Sequence, residues 1–349
     1  MDGKNKSLVF LSYLQSNYSR SGVYFDGLGE EVSAYVSIRS TLFSAILDLW
    51  RLRKSTNLKD KAILVMSPSH KITLLARVVL GKEIILDAGW ALSEAAISPK
   101  GLGLRQLKVL KNFFIDFISF HSAKIVILES EQEVGYVAKK FLISPRKLRA
   151  VYTGLNELTF QSIEKHLNTQ KQARLQVLFR GKINEEAGIE NILAATLMLE
   201  KEPIDFLIVT NKNLSNYKYS MHTKIVSHYI NSNEMADFYQ RSDLCLGQFS
   251  ENERLGRTIP HKAFESLYFA RCYLTPRTIP LQSMCISQNE MFFCDSSRPQ
   301  DLVQSLLLLE KNRDLVREIG SNGHALYQSQ MRQSHLANLV KEICFEEFD

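Results

Sequence analysis

Short, unbroken apolar runs recur along this chain, and segments of helical periodicity separate them. Residues 9–13, 62–66, 83–86 and 125–128 read as strands, with helices over 36–53, 71–79 and 104–120 between them. Strands spaced by helices in this way build βαβ units and a parallel sheet. Such strands are covered on both faces, so their sequence is continuously apolar rather than alternating. The rhythm stops across residues 161–174, which are polar and charged, and then resumes. Residues 177–179, 206–209, 224–229, 244–246, 273–275 and 291–293 read as strands of a second sheet. Helices are expected over 189–199, 233–241, 261–270, 302–309, 314–327 and 336–343. Ser232 is the expected cap of the helix over 233–241, and Pro260 fits the first turn of the one that follows.

A chain of 349 residues exceeds what one hydrophobic core usually serves. The expectation is an α/β protein of two doubly wound, Rossmann-like domains facing a central cleft. Residues 1–160 form the first, 161–175 a linker, 176–325 the second, and 326–349 a closing helix that packs back on the first. Ligands of open α/β sheets bind beyond the carboxyl ends of the strands. Interest therefore falls on the loops at 14–23, 67–70, 87–90, 180–188 and 248–262.

The composition is that of an ordinary globular protein, 45% hydrophobic and 23% charged. A net charge of +6 suits an anionic ligand or a membrane surface. No nucleic-acid-reading motif or long basic run is present, so no nucleic acid partner is expected. The five cysteines form no Cys-x-x-Cys pair, which points away from zinc and from a disulfide framework. Several lie in apolar runs, where a reduced cysteine behaves as a small hydrophobe, and a reducing compartment follows. The apolar run at 8–14 is too short to span a bilayer, and that at 113–128 is broken by Asp116, His121 and Lys124. A cytoplasmic protein is expected, meeting a membrane only from its inner face.

Two segments carry chemistry. In the first, Arg180-Gly181-Lys182 ends a strand and a helix begins near Gly188. Gly181 permits a tight turn beneath a ligand, and two cations beside a helix start suit a diphosphate. The competing reading is a basic strand end neutralised on the surface by Glu185 and Glu186. In the second, the strand Leu244-Cys245-Leu246 feeds a polar loop and then Arg257-Thr258-Ile259-Pro260-His261-Lys262-Ala263-Phe264-Glu265. Glu265 lies one turn into the helix, where a carboxylate can accept from the vicinal hydroxyls of a ribose. Backbone N–H groups around Thr258, Ile259 and Lys262 would favour an anion. The competing reading is a surface helix with Glu265 solvated.

Together these segments resemble family 4 of the GT-B glycosyltransferases. The resemblance covers nearly the whole chain in strand–helix order and is strongest over 177–190 and 232–275. Members typically show Gly-Arg then Glu-Lys-Gly at the first place, and two glutamates separated by seven residues at the second. The fragment Val151-Tyr152-Thr153-Gly154-Leu155-Asn156-Glu157 is similar to the turn that ends the family's first domain. The resemblance implies that Glu265 holds the donor ribose and that Lys182 faces the donor diphosphate. Ala187 stands where a phosphate-binding lysine is usual, and Arg257 where the first glutamate is usual. A branch of bacterial polysaccharide enzymes is similar in carrying Arg-x-Ile-Pro-x-Lys before the glutamate. In that branch's pattern Arg257 would bind phosphate, with Arg180 and Lys262 adding charge.

What the resemblance implies is sugar transfer from a UDP- or GDP-sugar to a saccharide or lipid-linked saccharide, in cell-surface polysaccharide synthesis. The nucleotide sugar is a co-substrate and no cofactor is implied. Retention of anomeric configuration is implied as well. Cationic side chains would stabilise the departing nucleotide diphosphate without a metal. The acceptor falls to the first domain, with Arg20, Gly22, Asp87, Gly89 and Trp90 as candidates and His70 as a candidate acid or base. The segment 104–120 sets Arg105, Lys108 and Lys111 beside Leu107, Leu110 and three phenylalanines, a pattern suited to an anionic membrane. Two alternatives stand beside this reading: a nucleotide-sugar epimerase of the same architecture, and a non-catalytic nucleotide-sugar-binding partner of another transferase.

Overall fold

The computed structural model describes residues 7–13, 19–39, 41–94, 104–160, 173–228 and 230–346. It divides into two compact units, Met1–Asn156 with Gln333–Asp349, and Glu157–Arg332. In chain order the first unit contains β1 (Ser7–Ser12), α1 (Ser19–Leu28), β2 (Val32–Ser37), α2 (Leu42–Ser55), β3 (Lys61–Val65) and α3 (Thr73–Leu80). It continues with β4 (Ile84–Gly89), α4 (Leu104–Ser122), β5 (Ile125–Leu128), α5 (Glu131–Phe141) and β6 (Leu148–Ala150). The second contains β7 (Leu175–Arg180), α6 (Ile189–Met198), β8 (Ile204–Val209), β9 (Thr223–Val226), α7 (Ser232–Arg241), β10 (Leu244–Leu246) and α8 (His261–Tyr268). β11 (Cys272–Pro276), α9 (Ile279–Met284), β12 (Phe292–Cys294), α10 (Pro299–Lys311) and α11 (Arg313–Leu326) complete it. The last helix, α12 (Gln333–Glu346), returns to the first unit.

Each unit is a parallel sheet covered by helices. The first runs β2-β1-β3-β4-β5-β6 and the second β12-β11-β10-β7-β8-β9. Alternate residues of one strand serve opposite faces, as the pleat requires. In the first unit Val9, Leu11, Ile63 and Val65 pack with α2, α3, α4 and α5. Leu8, Phe10, Leu64 and Met66 pack instead with α1 and α12. Right-handed crossovers account for this split, because the chain turns back once, from β1 to β2, before advancing along the sheet. In the second unit Val177, Phe179, Phe206 and Ile208 pack with α6, α10 and α11.

Several boundaries differ from expectation. Residues 36–53 were expected as one helix; the structure has the edge strand β2 and then α2, whose start Thr41 caps through its hydroxyl. The first unit ends at Asn156 rather than 160, because Phe160 packs at 5.3 Å on Phe269 in the second unit's own core. Residues 161–172 of the expected linker lie outside the described residues. The expected cap Ser232 is the first residue of α7; Asn231 caps it, accepting from Glu234 N at 3.0 Å while Glu234 accepts from Asn231 N at 3.2 Å. That reciprocal pair is a capping box. Pro260 stands one position before α8 in extended backbone, φ −62° and ψ 132°, not inside the first turn.

Candidate functional site

In the second unit, β7 and β10 end side by side, and the loops that follow them pack on one another. Gly188, at φ 63°, ends the first loop and starts α6. A Cβ there would lie 1.9 Å from the Phe249 carbonyl oxygen. Phe249 N donates to Ala187 O at 3.1 Å, and Asn191 Nδ2 donates to Phe249 O at 2.9 Å. Only glycine meets both the left-handed backbone and this close approach. Ala187 is buried in the sheet-facing core, so the position where the resemblance led one to look for lysine is a packing position.

Arg180, the last residue of β7, faces Glu265 of α8. Its guanidinium lies 3.1 Å from Oε1 and donates at 3.2 Å to Oε2. Tyr239 Oη donates to Oε2 at 2.6 Å, and His261 Nδ1 lies 3.2 Å from Oε1. Glu265 is only 3% exposed, which rules out the solvated surface residue. Burial alone would raise its pKa, but the Arg180 charge, with His261 and Tyr239, holds it down to about 2. Each carboxylate oxygen thus has two protein partners, and a ribose hydroxyl reaching Glu265 would replace one. His261, on the helix's first position, and Arg180 are about equally exposed, while Tyr239 is buried.

Lys262 is 7% exposed, with Nζ 4.0 Å over the Phe179 ring. Gly181 makes room for it, since a Cβ there would lie 3.0 Å from Nζ. Burial first, and then the Arg180 charge, pushes the ammonium down to about 7, against the opposing pull of Glu265 and Glu186. A lysine so held gains most from an incoming anion, which restores the missing counter-charge.

The remaining predicted residues of this unit divide. Glu186 pairs with Arg254 at 2.5 Å. Lys182 is exposed at the start of the β7 loop. Arg257 ends the 3₁₀ turn Glu253–Gly256. Thr258 turns inward, with N and Oγ1 both donating to Arg254 O at 3.1 and 3.2 Å, so its N–H is already used. Ile259 is a buried apolar contact. Sequence reasoning missed Tyr239 and Arg254. Tyr239 sits on the buried face of α7 with its ring stacked on Phe269 at 5.0 Å, and nothing in its local pattern separates it from a core aromatic.

In the first unit the predicted residues also gather at the carboxyl ends of the strands. Arg20, 1% exposed near the start of α1, donates through Nε to Asp87 Oδ1 at 2.7 Å and through Nη1 to Thr153 Oγ1 at 3.2 Å. Burial opposes its charge, yet Asp87 and Glu129 outweigh that and keep it above its ordinary value. Thr153 Oγ1 donates in turn to Glu129 Oε2 at 3.3 Å. Gly22 is buried in α1, and Gly89, at φ 69°, ends β4 against the Arg20 side chain. Trp90 is half-buried, and its carbonyl meets His70 Nε2 at 3.2 Å. His70 itself is buried and packed against Phe120, and burial lowers its pKa against the opposing pull of Asp116. Glu129 and Thr153 were missed from sequence; Glu129 directly follows β5 and Thr153 lies three residues beyond β6, and that position past a strand end is the signal that could have found them.

Residues 191–342 match a family model described as glycosyl transferase-like. No curated protein sequence matches the chain. Among solved structures, sucrose-phosphate synthase from Thermosynechococcus elongatus superposes with a TM-score of 0.68 at 13% identity, over 98% of this chain and 99% of that one. HepE from Anabaena in complex with UDP gives 0.68 at 10% identity, over 97% and 99%. A glycosyltransferase from Rickettsia africae gives 0.68 at 14%, over 99% and 100%. Likeness at such identities speaks to architecture. The chain therefore has the GT-B fold of two Rossmann-like halves, with a glycosyl transferase-like segment across residues 191–342.

Proposed function

We propose that this protein is a glycosyltransferase that takes sugar from a nucleotide-sugar donor and passes it to a saccharide or lipid-linked saccharide. The observation that carries the proposal is the buried set at the β7 and β10 strand ends: Glu265 held by Arg180, Tyr239 and His261, with Lys262 beside Gly181. A carboxylate kept ionised in so dry a place suits a hydroxyl pair, and a lysine held near neutrality suits a diphosphate. HepE, which shares the fold, has been seen with UDP and with UDP-glucose, which supports a nucleotide sugar as donor. Lys262 takes the diphosphate, joined by Lys182 and Arg257 from the two loops. Glu265 takes the ribose, with His261 the partner it releases. Cations of this kind stabilise a leaving nucleotide diphosphate electrostatically as charge develops on it. Arg20, Asp87, Gly22, Gly89 and Trp90 form the acceptor side. Retention of configuration, independence from metal and a role in cell-surface polysaccharide synthesis complete the proposal.

The test is calorimetric titration with UDP, GDP, ADP and their sugar conjugates. Binding of one nucleotide, weakened in Lys262→Met, supports the donor site; no binding at millimolar concentration removes it. Release of free nucleotide from the bound conjugate, undiminished by EDTA, supports transfer. A second reading, a nucleotide-sugar-binding partner without turnover, is favoured by Ala187, whose side chain is committed to the core. Binding without nucleotide release at any acceptor concentration would select it.

A further inference from the structure

We propose that the outer faces of α2, α3 and α4 form one docking surface for an anionic lipid bilayer. The three helices lie side by side on one face of the first unit's sheet, α2 against α3 and α3 against α4. Their inward residues fill the core, but their outward residues are also large and apolar. Phe43 is 74% exposed, Val78 68% and Leu107 63%, and Trp50, Leu110 and Phe114 are exposed with them. Leu107, Leu110 and Phe114 recur at i, i+3 and i+7, so they line one stripe of α4. Exposed apolar side chains on three neighbouring helices are more than solitary surface residues account for.

Charge identifies what covers it. Arg51, Lys54, Lys71, Lys108 and Lys111 are exposed on or beside the same helices. Lys54 Nζ lies 3.7 Å over the Trp50 ring, an arrangement that leaves both at the rim of the patch. The three helices carry only two acids. Asp48 is engaged by Arg39 at 2.7 Å, and Asp116 is buried, accepting from Leu92 N and Ser93 N at 3.0 and 2.8 Å. An apolar stripe edged by cations with no free carboxylate matches acyl chains below phosphate headgroups. A second copy of the chain fits poorly, since isologous pairing would set cation against cation. Insertion across the bilayer is not in question: among the described residues no helix is long and apolar enough to cross a membrane.

The experiment is flotation of the full chain with vesicles of phosphatidylcholine alone and of phosphatidylcholine mixed equally with phosphatidylglycerol. Binding is expected only to the mixture, and it falls as salt is raised. Lys108→Glu with Lys111→Glu, and separately Leu110→Ser with Phe114→Ser, should each reduce the bound fraction at least about tenfold. Lys201→Glu with Lys212→Glu, exposed on the second unit, should leave it unchanged. All altered residues are exposed, so thermal melts should stay at the parent value and separate surface loss from misfolding. Failure to float with the mixture, or flotation that survives both pairs, overturns the proposal. So does concentration-dependent dimerisation abolished by Leu110→Ser with Phe114→Ser, which would assign the face to a second copy. No nucleotide enters the readout, so this result and the donor-site result stand apart.

Discussion

Glu265 and Lys262 are three residues apart on one helix, and burial treats them in opposite ways. Glu265 has three protein partners, and they outweigh its burial and hold its carboxyl down to about 2. A carboxylate whose folded pKa is lowered adds stability above its unfolded value near 4.5, and that stability is lost as pH falls toward 2. Glu265→Gln should therefore cost about 3 kcal/mol at pH 7 by urea unfolding, with the cost shrinking between pH 4.5 and 2. An undiminished cost at pH 2 would mean the amide fails for shape and not for charge. Lys262 runs the other way. Its folded pKa of about 7 lies below the ordinary lysine value of 10.5, so the buried charge penalises the fold below pH 7 and the penalty fades as pH rises to 10.5. A diphosphate needs the ammonium, so nucleotide affinity should fall several-fold from pH 6.5 to pH 8.5. In Lys262→Met the same titration should be flat, and the melting temperature at pH 6 should rise. A pH-dependent affinity that persists in the variant would place the titrating group elsewhere.

At the scale of elements, the strands most visible in the sequence are those buried on both faces. β5 and β10 have the expected limits, because a central parallel strand needs continuous apolar residues and little else. The site residues on strand ends were legible for the same reason: once β7 is placed, Arg180, Gly181 and Lys182 must follow it. Tyr239 was not, since its role depends on a carboxylate 26 positions away. β2 and α1 were also missed, and both owe their form to distant partners. β2 is a half-exposed edge with a single neighbour, β1. α1 contains Gly22 and Gly27, poor helix formers, but a Cβ at Gly27 would sit 2.6 Å from Ala337 Cβ of α12. The helix thus exists through a contact some 300 residues away in sequence, which no local window contains. Gly188 is the element whose loss should be most damaging around the candidate site. Gly188→Ala combines a left-handed backbone with a collision against Phe249 O, at a cost of at least about 3 kcal/mol. It should also abolish nucleotide binding, because the β7 and β10 loops could no longer pack. Urea unfolding and calorimetry at a temperature where the variant remains folded would check both; unchanged binding would show that the ligand does not use these loops.

On the scale of the whole molecule, the chain crosses to the second unit once and returns once. The return is α12, and what it brings is a missing half of one face. In the first unit, Val23, Tyr24 and Leu28 of α1 share a core with Leu336, Ala337, Val340 and Cys344 of α12, over Leu8, Phe10 and Leu64 of the sheet. Without α12 these strand and helix residues meet water. Leu336, Val340 and the groups they cover represent several side chains at about 1.5–3 kcal/mol each, comparable with the whole stability of a domain of this size. The second unit keeps its own core of β7, β8, α6, α10 and α11. Deleting residues 333–349 should therefore unfold one unit and spare the other. Hydrogen exchange read by mass spectrometry should lose protection across β1, β3, β4 and β5 while β7, β8 and β10 retain theirs. Nucleotide binding in the truncated chain should survive, since every group assigned to the donor lies between Arg180 and Glu265. If protection were lost in both halves together, the two sheets would be one cooperative unit, and the donor site would depend on a helix that contributes no atom to it.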